Sequence, residues 1–390
     1  MIKNIILVGY MPLTEKVIKD FYINDALLQN YVVEYWDLSY LIFPNVYDKK
    51  LKKKSYEFIF ERLGQVESKI KLLDVDKTLF IINFTYRFNV LKIFFLLNKY
   101  NCKTGYFARG ALPVISSDKL EYTVRLITFI SNPKKVFYFI KNKLAQVLMQ
   151  MGVLKPYSIV FNAGLLGTNT IGYNFNNKTP SNFVNINYFD YDDFLNSKFS
   201  QRIIPEKYCV FHDEYLPHHP DFFMLGINTV DEKLYYKDLN VFFNLIEEKY
   251  KVKVVIAAHP KAEKYKSVNL FNKRDVVFNQ ISSLIKYSEF SILHGSSSVS
   301  YSILNKKPCI FITMNLIKTV MPTYNKIIRS FADLLGQSYI NINLISNSDS
   351  LIIPINYTKY DSYKYNYLTS KDSEDKISKE IFFQKLLSYD

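Results

Sequence analysis

Short runs of apolar, largely β-branched residues recur along the chain. Each is closed by turn-prone polar residues, and between the runs apolar positions return at three- and four-residue intervals. The first pattern predicts buried strands of a parallel sheet and the second predicts helices that cover it. In the first half, strands are predicted at Ile5–Val8, Tyr31–Asp37, Thr78–Asn83, Thr104–Ala108, Ser158–Asn162 and Phe183–Ile186. Helices are predicted at Thr14–Phe21, Lys49–Leu73 and about Asn89–Tyr100, with Phe58, Ile59 and Leu63 on the apolar side of the second. The pattern then starts over, with strands at Tyr208–Phe211, Lys253–Ala257, Phe290–Leu293, Pro308–Phe311 and Tyr339–Ile342. Helices accompany them at Leu234–Lys249, between the second and third of these strands, at Val299–Asn305 and at Thr323–Leu335. Repeated strand–helix units of this kind predict an α/β chain with two doubly wound parallel sheets. The first domain is placed at 1–196 and the second at 197–375, with a helix at 376–390 packing back across their junction.

The stretch 115–155 departs from that rhythm and reads as a helical insertion. Lysines are set among apolar residues at helical spacing around a break at Asn132-Pro133. Two readings fit: a basic amphipathic helix on an anionic membrane surface, or a helical hairpin packed on its own domain.

Composition narrows the class. A chain of 390 residues with 48% apolar content is globular and long enough for two cores. The three cysteines, Cys102, Cys209 and Cys309, sit in or beside apolar runs without metal-ligand spacing and are expected as reduced core thiols of a cytoplasmic protein. The N-terminal run MIKNIILVGYMPL is expected to be a first strand, not a signal peptide, and no run approaches the ~20 apolar residues of a spanning helix. The net charge of +14 suits phosphorylated substrates, an anionic membrane surface or nucleic acid. No motif that reads DNA or RNA accompanies it, so a nucleic-acid partner is not expected.

All five histidines lie between positions 212 and 294. Four of them fall just beyond predicted strands, which predicts a shared cleft. His259-Pro260, with Lys261 and Lys264 nearby, offers an imidazole donor and positive charge to a phosphate oxygen. His294-Gly295-Ser296-Ser297-Ser298 opens a helix, where a glycine allows close backbone approach and the serines and free amides suit a phosphate or ribose. Each has a bland counterpart, a capped turn or an N-cap box without ligand. The third element is the run from Phe211 to Asp221. Asp213 or Glu214 suits a general base for a sugar hydroxyl, and His218 and His219 suit positioning of donor or acceptor. A divalent ion on His212, Asp213, His218 and Asp221 is the alternative for that loop, but the spacing matches no structural zinc pattern and no metal is assigned. Gly9, Tyr10 and Arg109 sit at strand ends of the first domain and are placed on the acceptor side.

The segments AAHPKAEKY and LHGSSSVSYSILNKKPCIF resemble the HP and SS motifs of bacterial surface-polysaccharide glycosyltransferases with the GT-B fold, a group that includes sialyltransferases, polysialyltransferases and Kdo transferases. The resemblance covers mainly residues 183–313. It implies two Rossmann-like domains facing a central cleft, with His259, Ser296, Ser297 and Ser298 on the phosphate and ribose of a CMP-activated sugar. It also implies a catalytic base supplied by a D/E-D/E-G motif. Asp213-Glu214 matches the two acids, but Tyr215 stands at the glycine.

The expectation is therefore an inverting, metal-independent glycosyltransferase that needs no cofactor. Its partners would be a nucleotide-sugar donor and a glycan or lipid-linked glycan acceptor, with peripheral contact to the inner face of the membrane. The rivals are a transferase of the same fold using a CDP-polyol or UDP-sugar, and a basic membrane- or nucleic-acid-binding α/β protein without catalysis.

Overall fold

The computed structural model describes residues 1–43, 54–111, 113, 133–171, 182–219, 222, 228–346 and 350–389. They form two α/β units, each built on a wholly parallel sheet. In the first, β1 (Asn4–Gly9), β2 (Val32–Asp37), β3 (Glu57–Ile59), β4 (Thr78–Ile82), β5 (Lys103–Ala108), β6 (Ile159–Ala163) and β7 (Phe183–Ile186) lie in the order 3-2-1-4-5-6-7. In the second, β8 (Tyr208–His212), β9 (Lys253–Ala258), β10 (Val276–Phe278), β11 (Ser291–Leu293), β12 (Cys309–Thr313) and β13 (Ser338–Asn341) repeat the scheme as 10-9-8-11-12-13. Both are Rossmann-like orders, reversing beside the first strand of the unit, between β1 and β4 and between β8 and β11. The expected pair of doubly wound sheets is what the chain forms.

Alternation along each strand feeds two cores. In the first unit, Ile6, Val8, Trp36, Phe80 and Ile82 face the helices Leu63–Lys71, Leu91–Lys99 and Pro133–Gln150. Ile5, Leu7, Val33, Tyr35 and Leu79 face the opposite way, onto Ile18, Ile23, Ala26 and the C-terminal helix Ser378–Leu387. That helix thus closes one face of the first sheet through Phe382, Phe383 and Leu386. In the second unit, Tyr208, Val210, Val255 and Ala257 pack on Leu284, Ile285 and Tyr301. On the other face the Phe211 ring meets Phe243 of the helix Glu232–Tyr250 at 5.1 Å. Cys102, Cys209 and Cys309 are buried free thiols.

The division between the units falls at 189/190, and residues 369–390 belong with the first. Two segments differ from the sequence-based expectation. Lys49–Leu73 is not one helix: residues 44–53 lie outside the described part, Glu57–Ile59 is an edge strand pairing Phe58 with Trp36, and only Leu63–Lys71 is helical. The stretch between β9 and β11 holds a second unforeseen edge strand, β10, before its helix Ile281–Tyr287. Of the insertion at 115–155, residues 114–132 lie outside the described part, and Pro133–Gln150 is a helix. Among the described residues no helix is long and apolar enough to cross a membrane.

Candidate functional site

β8 is the central strand of the second unit, with β9 on one side and β11 on the other. Adjacent strands lie about 4.8 Å apart, so the loops leaving β9 and β11 are separated by roughly 10 Å, with the end of β8 between them. These are the loops carrying His259 and Gly295–Ser298. The two acids after β8 divide between them. Asp213 accepts the amide of His259 at Oδ2 (3.3 Å) and the amide of Tyr215 and the hydroxyl of Tyr265 at Oδ1 (3.1 and 3.2 Å). Glu214 accepts the amide of Gly295 at Oε1 (3.0 Å) and the hydroxyl of Tyr324 at Oε2. Neighbouring residues of an extended chain point to opposite sides, which is why one dipeptide holds both loops.

Burial raises both carboxyls, Asp213 to about 6 and Glu214 to about 7, against the hydrogen bonds that favour the ionised forms. Asp213 is 6% exposed, whereas Glu214 is only half-buried. Tyr215, at the position of the expected glycine, adopts the left-handed conformation (φ 53°). That conformation is strained for a tyrosine. Its ring is held against Tyr265 and His218, each 5.2 Å away.

His259 accepts the amide of Lys261 at Nδ1 (3.2 Å), so the neutral imidazole carries its proton on Nε2. Pro260 and Lys261 follow on the exposed turn. The His219 ring lies 5.0 Å from that of His259, so these two predicted histidines are brought together. His218 instead bonds Glu232 through Nε2 (3.1 Å), and Glu232 also pairs with Lys264.

The serine loop is organised by its own hydroxyls. Ser296 Oγ lies 2.8 Å from Ser298 Oγ and accepts the Ser298 amide at 3.2 Å; Ser297 is exposed. Among the described residues the amides of Ser296 and Ser297 donate to no other group. The helix that follows, Val299–Leu304, is too short to bring much dipole, so the loop amides and hydroxyls are what this end offers an anion. Beneath it, His212 places Nδ1 2.9 Å from Ser298 Oγ.

Three expectations are corrected. His294, expected to bind the donor, is 0% exposed. Its Nδ1 donates to the carbonyl of Ile312 (2.7 Å) and its Nε2 accepts the hydroxyl of Tyr235 (3.1 Å), so it is a core residue with both nitrogens committed. The single cleft for all five histidines also fails, because His212 and His294 are interior and held neutral by burial, with pKa values lowered to about 3 and about 4. Gly295 does allow a close approach, but what comes close is protein: a Cβ there would lie 3.2 Å from both the Tyr324 ring and Ile327.

In the first unit, Gly9 makes room for Tyr35, whose hydroxyl would collide with a Cβ and donates to the carbonyl of Met11 at 2.6 Å. Tyr10 is half-buried against Phe43 and Phe84. Arg109 is 8% exposed, its guanidinium 4.6 to 5.4 Å from the rings of Phe189, Phe107 and Tyr22, with Nη2 on the Tyr22 hydroxyl. These three are packing positions as much as strand-end positions.

The tyrosines that hold the acids, Tyr265 and Tyr324, and Tyr235 behind His294 were not foreseen. With 32 tyrosines in the chain, none carries a local signature.

No family model and no curated relative matches the chain. Solved structures similar to it include the UDP-GlcNAc 2-epimerase of Methanocaldococcus jannaschii (14% identity, all of both chains covered, TM-score 0.48). Others are the H444N variant of the wall teichoic acid polymerase TagF (12%, 99% of this chain and 89% of that one, TM-score 0.48) and MurG of Acinetobacter baumannii (8%, 88% of each, TM-score 0.41).

Proposed function

We propose that the chain is a GT-B glycosyltransferase, inverting and independent of metal, that takes its nucleotide-sugar at the switch point of the second sheet. The observation that carries this reading is the tethering of two anion-competent loops to adjacent residues of one strand end, His259 to Asp213 and Gly295 to Glu214. Open parallel sheets bind ligands at such a reversal of strand order. There the Nε2–H of His259 and the amides of Ser296 and Ser297 are donors for a phosphate oxygen, and Lys261 adds charge. The HP- and SS-like residues favour a CMP-activated sugar, with a CDP-polyol or UDP-sugar as the second donor class. The acceptor on this reading is a surface-polysaccharide or lipid-linked glycan.

The reaction is a single displacement. The acceptor hydroxyl oxygen bonds to the anomeric carbon, its proton passes to a carboxylate, and the carbon–oxygen bond to phosphate breaks with its electron pair on the nucleotide. The donors around the phosphate stabilise the charge that develops there. Glu214 is the better proton acceptor of the two acids, since it keeps solvent contact and its carboxyl, near 7, is matched to neutral pH.

A thermal-shift panel of CMP, CDP, UDP, GDP and dTDP tests this, because a ligand of the native state raises the melting temperature. CMP is expected to raise it and His259→Ala to abolish the rise. A rise with CDP or UDP alone moves the donor to the second class, and no rise with any nucleotide overturns the reading.

A further inference from the structure

The helix Pro133–Gln150 in the first unit buries Ala145 and Met149 against the sheet. Its outer side carries Phe137, Ile140, Leu144 and Val147, and Met151 follows just past its end. These five are between 42 and 70% exposed. At 3.6 residues per turn these five positions fall within about 80° of arc, a continuous stripe and not a scatter of single residues. Lys143 lies beyond one margin of that arc and Lys141 beyond the other. The Lys141 ammonium sits 4.0 Å from the Phe137 ring and 4.7 Å from that of Phe88, itself 38% exposed. Residues 133–157 contain five lysines and no acidic residue.

We propose that this helix face docks on an anionic lipid surface, with the apolar stripe at the headgroup–acyl boundary and Lys141 and Lys143 at the level of the lipid phosphates. An apolar strip edged on both sides by cations, on a segment whose own sequence holds no acidic residue, matches that surface in both polarity and sign. A second copy of the chain matches it poorly: a two-fold pairing of this helix would set its lysines against lysines, and the helix itself brings no carboxylate. The inference concerns the first unit alone and stands whether or not the second binds a nucleotide.

Co-sedimentation with vesicles tests it, using about one part phosphatidylglycerol to two parts phosphatidylcholine against phosphatidylcholine alone. The chain is expected to pellet with the anionic vesicles and to be released by salt. Two variants, Phe137→Ser/Ile140→Ser/Leu144→Ser and Lys141→Glu/Lys143→Glu, are each expected to lower the partition coefficient at least about tenfold. Phe137, Ile140, Leu144 and Lys143 are exposed and Lys141 is half-buried at the surface, and an unchanged melting temperature and nucleotide shift show that the fold is intact. The proposal is overturned by absent binding, by equal binding to neutral vesicles, by variants that partition like the parent, or by a lipid-independent dimer that the serine variant dissolves.

Discussion

The Gly295 amide nitrogen lies 3.0 Å from Oε1 of Glu214, and it lies 3.0 Å from the hydroxyl of Tyr324, which donates to Oε2 of the same carboxylate. Three elements remote in sequence, the end of β8, the serine loop and the helix Pro322–Leu335, are closed into one small ring of hydrogen bonds.

Removing one member of that ring is expected to weaken the others. Tyr324→Phe should cost about 1–2 kcal/mol, and Glu214→Ala more, since the Gly295 amide and the Tyr324 hydroxyl both lose their acceptor. Because the two residues share partners, the double variant should cost less than the sum of the singles. Denaturant unfolding of the three variants measures this; additive losses would mean the ring does not act as a unit.

Glu214 also sets a pH dependence. Its carboxyl is raised in the folded chain, from an ordinary 4.5 to about 7, so the native state holds the proton longer than the unfolded one. Stability therefore falls as pH rises between those values. Glu214→Gln removes that loss, and the stability of this variant relative to the parent should climb by up to about 1 kcal/mol per pH unit over that window. Melting curves at pH 5, 6 and 7 give the slope. A flat difference would place the carboxyl in its normal range.

The two strand-end histidines should separate cleanly. His294→Ala strips the Tyr235 hydroxyl and the Ile312 carbonyl of their partner inside the core and should cost about 2–4 kcal/mol. His259→Ala lies on the partly exposed turn; it should change stability by under about 1 kcal/mol while weakening nucleotide binding about tenfold or more. Calorimetric titration beside thermal melting resolves the pair, and equal destabilisation by both would contradict the assignment.

Gly295→Ala pushes a methyl against Tyr324 and Ile327, so the serine loop must move by a few tenths of an ångström. A stability loss of about 1–3 kcal/mol is expected. Trimming Ile327 to Ala in the same chain should return part of it, which the melting temperature of the double variant reports.

Much of this arrangement is legible in the sequence, because buried parallel strands are nearly unbroken apolar runs and every predicted strand of both sheets exists within a residue or two. The two strands missed, β3 and β10, are three-residue edge strands with every residue only half-buried, too short to show a period. The loop after β9 and the loop after β11 read alike as strand–histidine–turn. Whether the histidine reaches solvent depends on what lies over it. Tyr235, on a helix starting far upstream, covers His294, whereas His259 stands one residue beyond a longer strand. Tyr324 has no spacing that announces it, since its partners are fixed by helix packing and not by any local motif.

The helix at 378–387 has a consequence for how the chain is made. During translation the first sheet emerges early, but its face formed by Ile5, Leu7 and Tyr35 is covered in part by Phe382, Phe383 and Leu386, which follow it by more than the length of the whole second sheet. The first unit is therefore completed only after the second has been synthesised, and until residues 378–387 emerge its nascent form carries a partly open apolar face. A chain stopped at residue 368 should fold its second sheet normally and engage chaperones through its first.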